Sequence, residues 1–329
     1  MVLLVLALAA LAIAGWISQH RAKTGDLHSG QLLLPGLSEQ INQVTSLLLR
    51  DSKGRKVSIR LSDDSWGIEE KQGYPADAGK LRSALLILAD AQVLEEKTSR
   101  PDMYGRLGVE DPDTPGADNL GLTIVLPGQE RGLVIGKLAM NSGTYVRRVG
   151  EPTSLLINQA LALEADPMKW LIPDLLDIGP DSIQRVELSH PDGSELVITR
   201  KDEDGNDFRI EDLPPGREPQ SDFLANGIAS ALARLGFQDV RRLRERDPGT
   251  VIHSRITTRK GLIIAASLYR EERPWVSFTF SLADGADQTQ RDLVQAYSQR
   301  LAGWEYVLAG PGAEQLGKRM EDLLKPAGG

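Results

Sequence analysis

A short arginine run in the second half of the chain is the densest group of residues that could bind an anion. Its members are separated only by one leucine and one glutamate, and they are Arg241, Arg242, Arg244 and Arg246. Guanidinium groups pair with carboxylates and phosphates, so the run predicts a contact with an acidic partner or with anionic lipid headgroups. The other interpretation is a solvated edge that follows a helix, and the sequence leaves both open.

The histidines do not predict a metal site or a catalytic triad by their spacing. The chain has four of them, with no HxxxH or HxH pair: His20, His28, His190 and His253. Any zinc site or histidine-based triad would have to be assembled by the tertiary structure. The sequence contains no cysteine, which removes thiol nucleophiles, cysteine zinc sites and disulfides from consideration.

Two motif-like segments lack the spacing that their chemistry requires. Gly132–Lys137 has three residues between its glycines and a leucine after its lysine, whereas a phosphate-binding loop needs four residues and then Ser or Thr. The acidic segment 202–213 lacks the glycine at position 6 and the glutamate at position 12 of a calcium loop. No serine lies in a G-x-S-x-G elbow, and 46 carboxylates are too many to single out an acid–base pair. We therefore predict a non-enzymatic protein with no catalytic residue, metal or cofactor.

Composition is that of two folded domains. The chain has 329 residues, 26% charged and 41% hydrophobic, which is typical of globular domains. Its net charge is −8, and an acidic chain lacks the clustered cations that phosphate contacts require. Nucleic acid is therefore not a predicted partner.

The first residues predict a membrane anchor. Val2–Ile17 is an unbroken run of apolar and small residues, and the first basic side chain after it is Arg21. Counted on through Ser18 and Gln19, the segment just reaches the ~17 residues that a spanning helix needs. We assign 1–20 to a transmembrane helix, with Trp16 and Arg21 at the membrane interface. The small-x-small segment at 12–14 keeps a cleaved signal peptide as the alternative.

A repeated pattern predicts an internal duplication. Ile183–Val186 resembles Ile41–Val44, and Phe208–Glu211 resembles Trp66–Glu69, with the same offset of 142 residues in both cases. Self-similarity at a fixed separation is the signature of a repeated structural unit. We therefore expect two tandem copies of one module.

Each copy is predicted to be α+β, with a sheet, a helix, a second sheet and a closing helix. The first copy is assigned to 39–178 and the second to 179–329, after a linker at 21–38. Apolar residues at helical spacing, with Asp77 as N-cap, predict the first helix at Leu81, Leu85 and Leu88.

Three helices are predicted in the second copy. The first carries Leu224, Ile228, Ala231 and Leu235. A helix at Gln290–Leu301 has no counterpart in the first copy, and a helix at Ala313–Leu324 closes the second.

Several segments together resemble the family called domain of unknown function 4340. The most specific is Tyr104–Pro112, which is predicted to form a short helical turn ending at Gly108, with Tyr104 and Leu107 packed into the core. The others are Trp66–Ile68, Ile135–Lys137, Gly143–Arg147, Trp170–Ile178, Trp304–Leu308 and Met320–Leu324.

The resemblance implies a bacterial protein of the inner membrane without transferable catalytic residues. Such proteins are often encoded beside membrane subunits of gliding-motility-type ABC transporter systems. The implied function is an accessory subunit that binds transporter membrane subunits, with its body on the periplasmic side. Arg21 and Lys23 follow the anchor, and the positive-inside rule alone would place the body in the cytoplasm.

The alternative function is an envelope glycan- or lipid-binding module that uses a groove between the two copies. Tyr145, Arg147 and Trp275 are the residues expected to line such a groove if they are exposed. An envelope hydrolase is a third possibility, and it would require a carboxylate pair or a metal in one pocket.

Overall fold

The computed structural model describes residues 30–140, 143–203, 205–221 and 223–326. The predicted span 1–20 and its interface residues Trp16 and Arg21 lie outside these ranges. Within them, no helix combines the length and the apolar composition needed to cross a membrane. The chain divides into two compact units between Leu171 and Ile172, seven residues before the boundary placed at 178/179.

The first unit is built on a nine-stranded antiparallel sheet. Its strand order is β4-β3-β2-β1-β6-β7-β8-β9-β5. Buried and less buried residues alternate along its strands, because every second side chain of a strand points to the same face. One strand, for example, buries Leu120, Leu122, Ile124 and Leu126. The strands are β1 (Ser46–Asp51), β2 (Lys56–Ser62), β3 (Ser65–Ile68), β4 (Tyr74–Pro75), β5 (Val93–Glu96), β6 (Leu120–Leu126), β7 (Gln129–Leu138), β8 (Thr144–Arg148) and β9 (Ser154–Ile157).

Three α-helices accompany the first sheet: α1 (Leu37–Gln40), α2 (Ala78–Asp90) and α3 (Tyr104–Leu107). The predicted α2 is confirmed. Asp77 caps it by accepting from the backbone N–H of Lys80 at 2.9 Å, which satisfies one of the free donors at a helix start. Leu81, Leu85 and Leu88 are buried on its inner face.

Part of the predicted linker belongs to the first unit. The backbone N–H of Val93 donates to the carbonyl of Gln31 at 2.8 Å, so the start of this segment runs along the edge of β5. Leu33, Leu34 and Leu37 are buried. The leucine-rich part of segment 30–38 therefore belongs to the hydrophobic core of the first unit.

The second unit contains another nine-stranded antiparallel sheet, in the order β10-β14-β18-β17-β16-β15-β11-β12-β13. Its helices are α4 (Leu224–Ala229), α5 (Gln288–Leu301) and α6 (Gly312–Leu316). Its strands are β10 (Asp174–Leu176), β11 (Ile183–Ser189), β12 (Glu195–Arg200), β13 (Phe208–Ile210), β14 (Leu235–Arg242), β15 (Val251–Thr258), β16 (Leu262–Tyr269), β17 (Trp275–Leu282) and β18 (Trp304–Leu308).

The two sheets share one strand connectivity. The order β13-β12-β11-β15-β16-β17-β18-β14 in the second sheet corresponds to β3-β2-β1-β6-β7-β8-β9-β5 in the first, where β4 adds a strand beyond β3. In both units a strand that follows a helix, β5 after α2 and β14 after α4, pairs with the last strand of the unit, β9 or β18. A helix, α5, joins β17 to β18, whereas residues 149–153 join β8 to β9 without one.

Three sequence predictions differ from the structure. The repeat pattern matches Ile41–Val44 with Ile183–Val186, but Ile41–Gln43 is a 3-10 helix whereas Ile183 begins β11. The predicted helix through Leu235 ends at Ala229, because a turn leads to Arg234 in the left-handed region (φ 47°) and Leu235 begins β14. The closing helix breaks at Gly317 into α6 and a 3-10 helix at Met320–Leu323.

Candidate functional site

The segment 97–119, here called the first connector, joins β5 to β6 across the face of the first sheet that carries Val134. Its helix α3 ends at Gly108, whose φ of 70° lies in the left-handed region that favours glycine. Tyr104, Val109 and Val134 form one buried cluster, with Leu107 packed against it. The predicted helical turn and the core position of Tyr104 are confirmed, while Leu107 is partly buried against the same cluster.

Arg147 on β8 fixes this connector. Its Nε donates to the carbonyl of Val109 at 2.9 Å, and its Nη2 donates to Asp111 Oδ1 at 2.5 Å. Its Nη1 reaches the carbonyl of Glu151 at 3.3 Å. The guanidinium also lies over the ring of Tyr104, an arrangement that planar, delocalised guanidinium favours. Arg147 is buried, and its Nε and Nη2 both donate to the connector.

Gly136 and Lys137 on β7 seat the end of α3. A Cβ at Gly136 would lie 2.4 Å from the carbonyl oxygen of Leu107 and 2.7 Å from that of Gly108, so only glycine allows the connector so close. Lys137 Nζ donates to the carbonyl of Gly105 at 3.0 Å. A cation at the free carbonyls of a helix end is stabilising.

Glu110 and Asn119 carry buried oxygens without a hydrogen-bond partner among the described residues. They are Glu110 Oε2 and Asn119 Oδ1. Asn119 donates through Nδ2 to the carbonyl of Glu110 at 2.5 Å, which ties the two ends of the turn together. Both residues sit within the first connector.

In the second unit, the predicted arginine run meets two carboxylates. Arg246 Nη1 donates to Glu305 Oε2 at 2.6 Å, and Arg241 Nε donates to Glu305 Oε1. Both arginines also bind Glu271, through Arg241 Nη2 at 2.8 Å and Arg246 Nη2 at 2.6 Å. The side chain of Glu305 is 0% exposed. Segment 243–250, the second connector, is thereby held to β18 through Arg246.

Aromatic rings support the same arginines. Arg241 lies 3.8 Å from the ring centroid of Trp275, and Arg246 lies 4.1 Å from that of Tyr269. Arg242 lies 3.8 Å over Trp304. Guanidinium–ring stacking strengthens when both groups are withdrawn from water.

The charges of the network stabilise one another. The hydrogen bond to Glu305 is the main cause that raises the pKa of Arg246. Hydrogen bonds from Arg241, and then from Arg246, lower the pKa of Glu271 below its ordinary value. Arg246 and Glu271 therefore keep their charges over a wider pH range than they would in water.

Only two of the four arginines of the predicted run take part in the network with Glu305 and Glu271. Arg241 and Arg246 point into the network, while Arg244 is exposed and offers its backbone carbonyl to Arg246 at 3.0 Å. The exposed part of the run is Arg242 and Arg244.

Sequence reasoning missed Glu305, Glu271 and Arg200. Glu305 lies 64 positions from Arg241, and no local pattern joins them. Arg200 is buried and donates to the carbonyls of Ile183 and Asp181 at 2.6 and 3.0 Å. Burial lowers its pKa. The one signal in the sequence that could have indicated a buried Arg200 is its position directly after the apolar strand residues Val197–Thr199.

The groove residues named from sequence are partly buried within their own units. Arg147 and Trp275 are buried, and Tyr145, which is partly buried, packs against the Tyr104 cluster.

Two histidines have polar contacts: His190 Nε2 lies 3.0 Å from the carbonyl of Lys318, and His253 Nδ1 lies 3.3 Å from Ser267 Oγ. Within the described ranges, no group of three or more His, Asp or Glu could hold a metal ion.

A family model called "Domain of unknown function (DUF4340)" matches residues 66–251, more than half of the chain. The match contains the first connector, Gly136, Arg147 and the arginine run, while the segments 304–308 and 320–324 lie beyond it. No match was found among curated proteins or among solved structures. By the extent of the family match and the residues within it, the chain belongs to the domain of unknown function 4340 family.

Proposed function

We propose that the protein is a non-enzymatic, membrane-anchored accessory subunit of an ABC-type transport complex, and that its body acts outside the cytoplasm by binding transporter membrane subunits. We also propose that its two units descend from one duplicated module. The anchor in this proposal is the apolar run at 2–17.

One observation carries the proposal: charged side chains of the family region hold segments of their own unit in place. Arg147, Lys137 and Arg200 all donate to main-chain carbonyls. Arg241 and Arg246 bind carboxylates of their own unit. Groups used in this way make loops rigid, and rigid loops on a sheet are suited to binding another protein.

The duplication is supported by the shared connectivity of eight strands. It is also supported by the equivalent hairpins. In the first, the N–H of Gly54 donates to the carbonyl of Asp51 at 3.1 Å. In the second, the N–H of Gly193 donates to the carbonyl of His190 at 2.9 Å.

An exposed apolar pair on α2 supports a protein contact in the first unit. Leu86 is 42% exposed and Ile87 is 41% exposed. Adjacent large apolar side chains on a helix surface are typical of interaction sites when they form part of a patch. We propose this face of α2 as a place where a transporter subunit binds.

Affinity purification from native membranes tests the proposal. The tagged full chain should enrich ABC permease and ATPase subunits after mild crosslinking, relative to a tagged control of residues 1–38 that reports what the anchor alone retains. Recovery of the protein alone, or equal recovery by the control, would contradict it. Protease treatment of intact spheroplasts tests the orientation, and a body that stays protected would contradict the periplasmic placement.

Variants on α2 locate the contact. Leu86→Gln with Ile87→Gln keeps good helix formers on an exposed face, so the fold should persist while transporter recovery falls. Leu138→Gln, which changes an exposed apolar residue on β7 and not on α2, is the matched control. Unchanged recovery by the double variant would remove this surface from the proposal.

A further inference from the structure

A groove of about 650 Å³ lies beside α5 in the second unit. A second groove of about 500 Å³ adjoins it, and Asp177 and Tyr297 line both. The first unit has no helix between β8 and β9, so α5 gives the second unit a wall that its counterpart lacks. Grooves of this size are typical of small-molecule sites.

Gln290 supplies a side-chain amide to the larger groove. The residue is 5% exposed overall and lines the groove from the first turn of α5. Its backbone N–H donates to the cap residue Asp287 at 2.9 Å, which holds this turn of the helix in place. An amide that lines a groove can both donate to and accept from a polar ligand there.

The charges around the larger groove balance. Asp177 and Asp181 face the same space as Arg259 and Lys260. An anionic ligand would meet the two carboxylates and a cationic ligand would meet the two basic groups, so a neutral polar ligand is favoured. Charged side chains can still accept from, and donate to, hydroxyl groups.

Tyr297 places an aromatic ring between the two grooves. Its ring packs against Phe280, with 5.2 Å between the centroids, and the guanidinium carbon of Arg300 lies 5.7 Å from its centroid. These contacts fix the ring. An aromatic residue presents an apolar body with a polar tip, which suits the mixed polar and apolar surface of a sugar ring.

We propose that this groove binds a neutral oligosaccharide, with the Gln290 amide hydrogen-bonded to sugar hydroxyls and Tyr297 against a sugar ring. The site lies wholly within the second unit. It does not depend on the proposed transporter contact.

The test is binding of defined trisaccharides to the full chain in a detergent without a sugar headgroup. Maltotriose, chitotriose and laminaritriose are the neutral probes, and trigalacturonic acid is the acidic one. Saturation-transfer NMR detects contact, and calorimetry gives the affinity. We expect saturable binding of at least one neutral probe, tighter than that of the acidic probe.

Gln290→Leu should weaken binding about tenfold, which is the effect of one lost hydrogen bond of ordinary strength. Its thermal midpoint should not fall, because leucine has similar volume and no polar atoms. Gln295→Leu, on the exposed side of the same helix, should bind as the wild type does. No binding by any neutral probe, preference for the acidic probe, or equal affinity of Gln290→Leu would overturn the proposal.

Discussion

The guanidinium carbon of Arg147 lies 4.9 Å from the ring centroid of Tyr104, and the pair fixes the first connector to the sheet. Arg147→Lys should lower the free energy of unfolding by about 3 kcal/mol, because lysine cannot reproduce the forked contacts to Val109 and Asp111 or the stacking. Chemical denaturation measures it. Arg106→Lys, at an exposed site in the same connector, is the control, and equal stability of both variants would refute the assigned role.

A substitution at Gly136 on β7 tests how closely the first connector approaches the sheet. Gly136→Ala places a methyl group against two backbone carbonyls, which cannot move as the end of a side chain can. The loss should be about 2 kcal/mol or more. Gly205→Ala, where a Cβ has only ordinary contacts at 3.6 Å, is the matched control. Hydrogen exchange should localise the effect to the first connector, and protection unchanged there would contradict the explanation.

The first helix was predictable because local signals agree. Asp77 supplies the cap and three leucines share one face of α2. The later apolar pattern failed at Leu235, which is buried as the first residue of a strand and not as the last turn of a helix. Burial alone explains its apolar character, and a helical spacing can arise by chance when a turn carries other buried residues.

The predicted repeat and the strand pairing disagree in register at the start of the pattern. The paired turns make Asp51 equivalent to His190, an offset of 139, whereas Ile68 and Ile210 pair with equivalent strand positions at an offset of 142. Seven residues join β12 to β13 and two join β2 to β3, and the offset between equivalent positions grows from 139 to 142 across this turn. A comparison without gaps cannot represent that difference, so Ile41 was matched with Ile183 although Ile41 begins a 3-10 helix.

The candidate sites were only partly predictable because their partners are distant in sequence. Arg147 and Asp111 lie 36 positions apart, and Arg246 and Glu305 lie 59 apart. Composition and local spacing report neither contact. The arginine run was visible, but its carboxylate partners depend on the strand order of the second sheet.

Glu305 is the central acceptor of the arginine network. Glu305→Gln should reduce the free energy of unfolding by about 3 kcal/mol, because it leaves two largely buried guanidinium groups with weaker compensation. Glu245→Gln, an exposed change in the second connector, should stay within about 0.5 kcal/mol of the wild type. Thermal and denaturant unfolding give both values. A near-neutral Glu305→Gln would show that the network adds little to stability.

Glu271 gives the same network a dependence on pH. Its pKa in the folded protein lies below the ordinary value of 4.5, so its stabilising contribution is complete above pH 4.5 and is lost as the pH falls through the folded-state pKa. The stability difference between wild type and Glu271→Gln should be constant above that pH and should shrink below it. Glu272→Gln on the same hairpin is the control. A difference that grows as the pH falls would contradict the sign.

Arg244 separates the binding role of the arginine run from its structural role. Because Arg244 is exposed, Arg244→Glu should leave the thermal midpoint within a few degrees of the wild type. Arg246→Glu places a third carboxylate beside Glu305 and Glu271 and should unfold at a much lower temperature. If the run contacts an acidic partner or anionic lipid, Arg244→Glu should also reduce recovery of transporter subunits or binding to phosphatidylglycerol vesicles, and Arg244→Lys should restore it. Recovery and vesicle binding that are both unaffected by the charge reversal would leave the run with a structural role only.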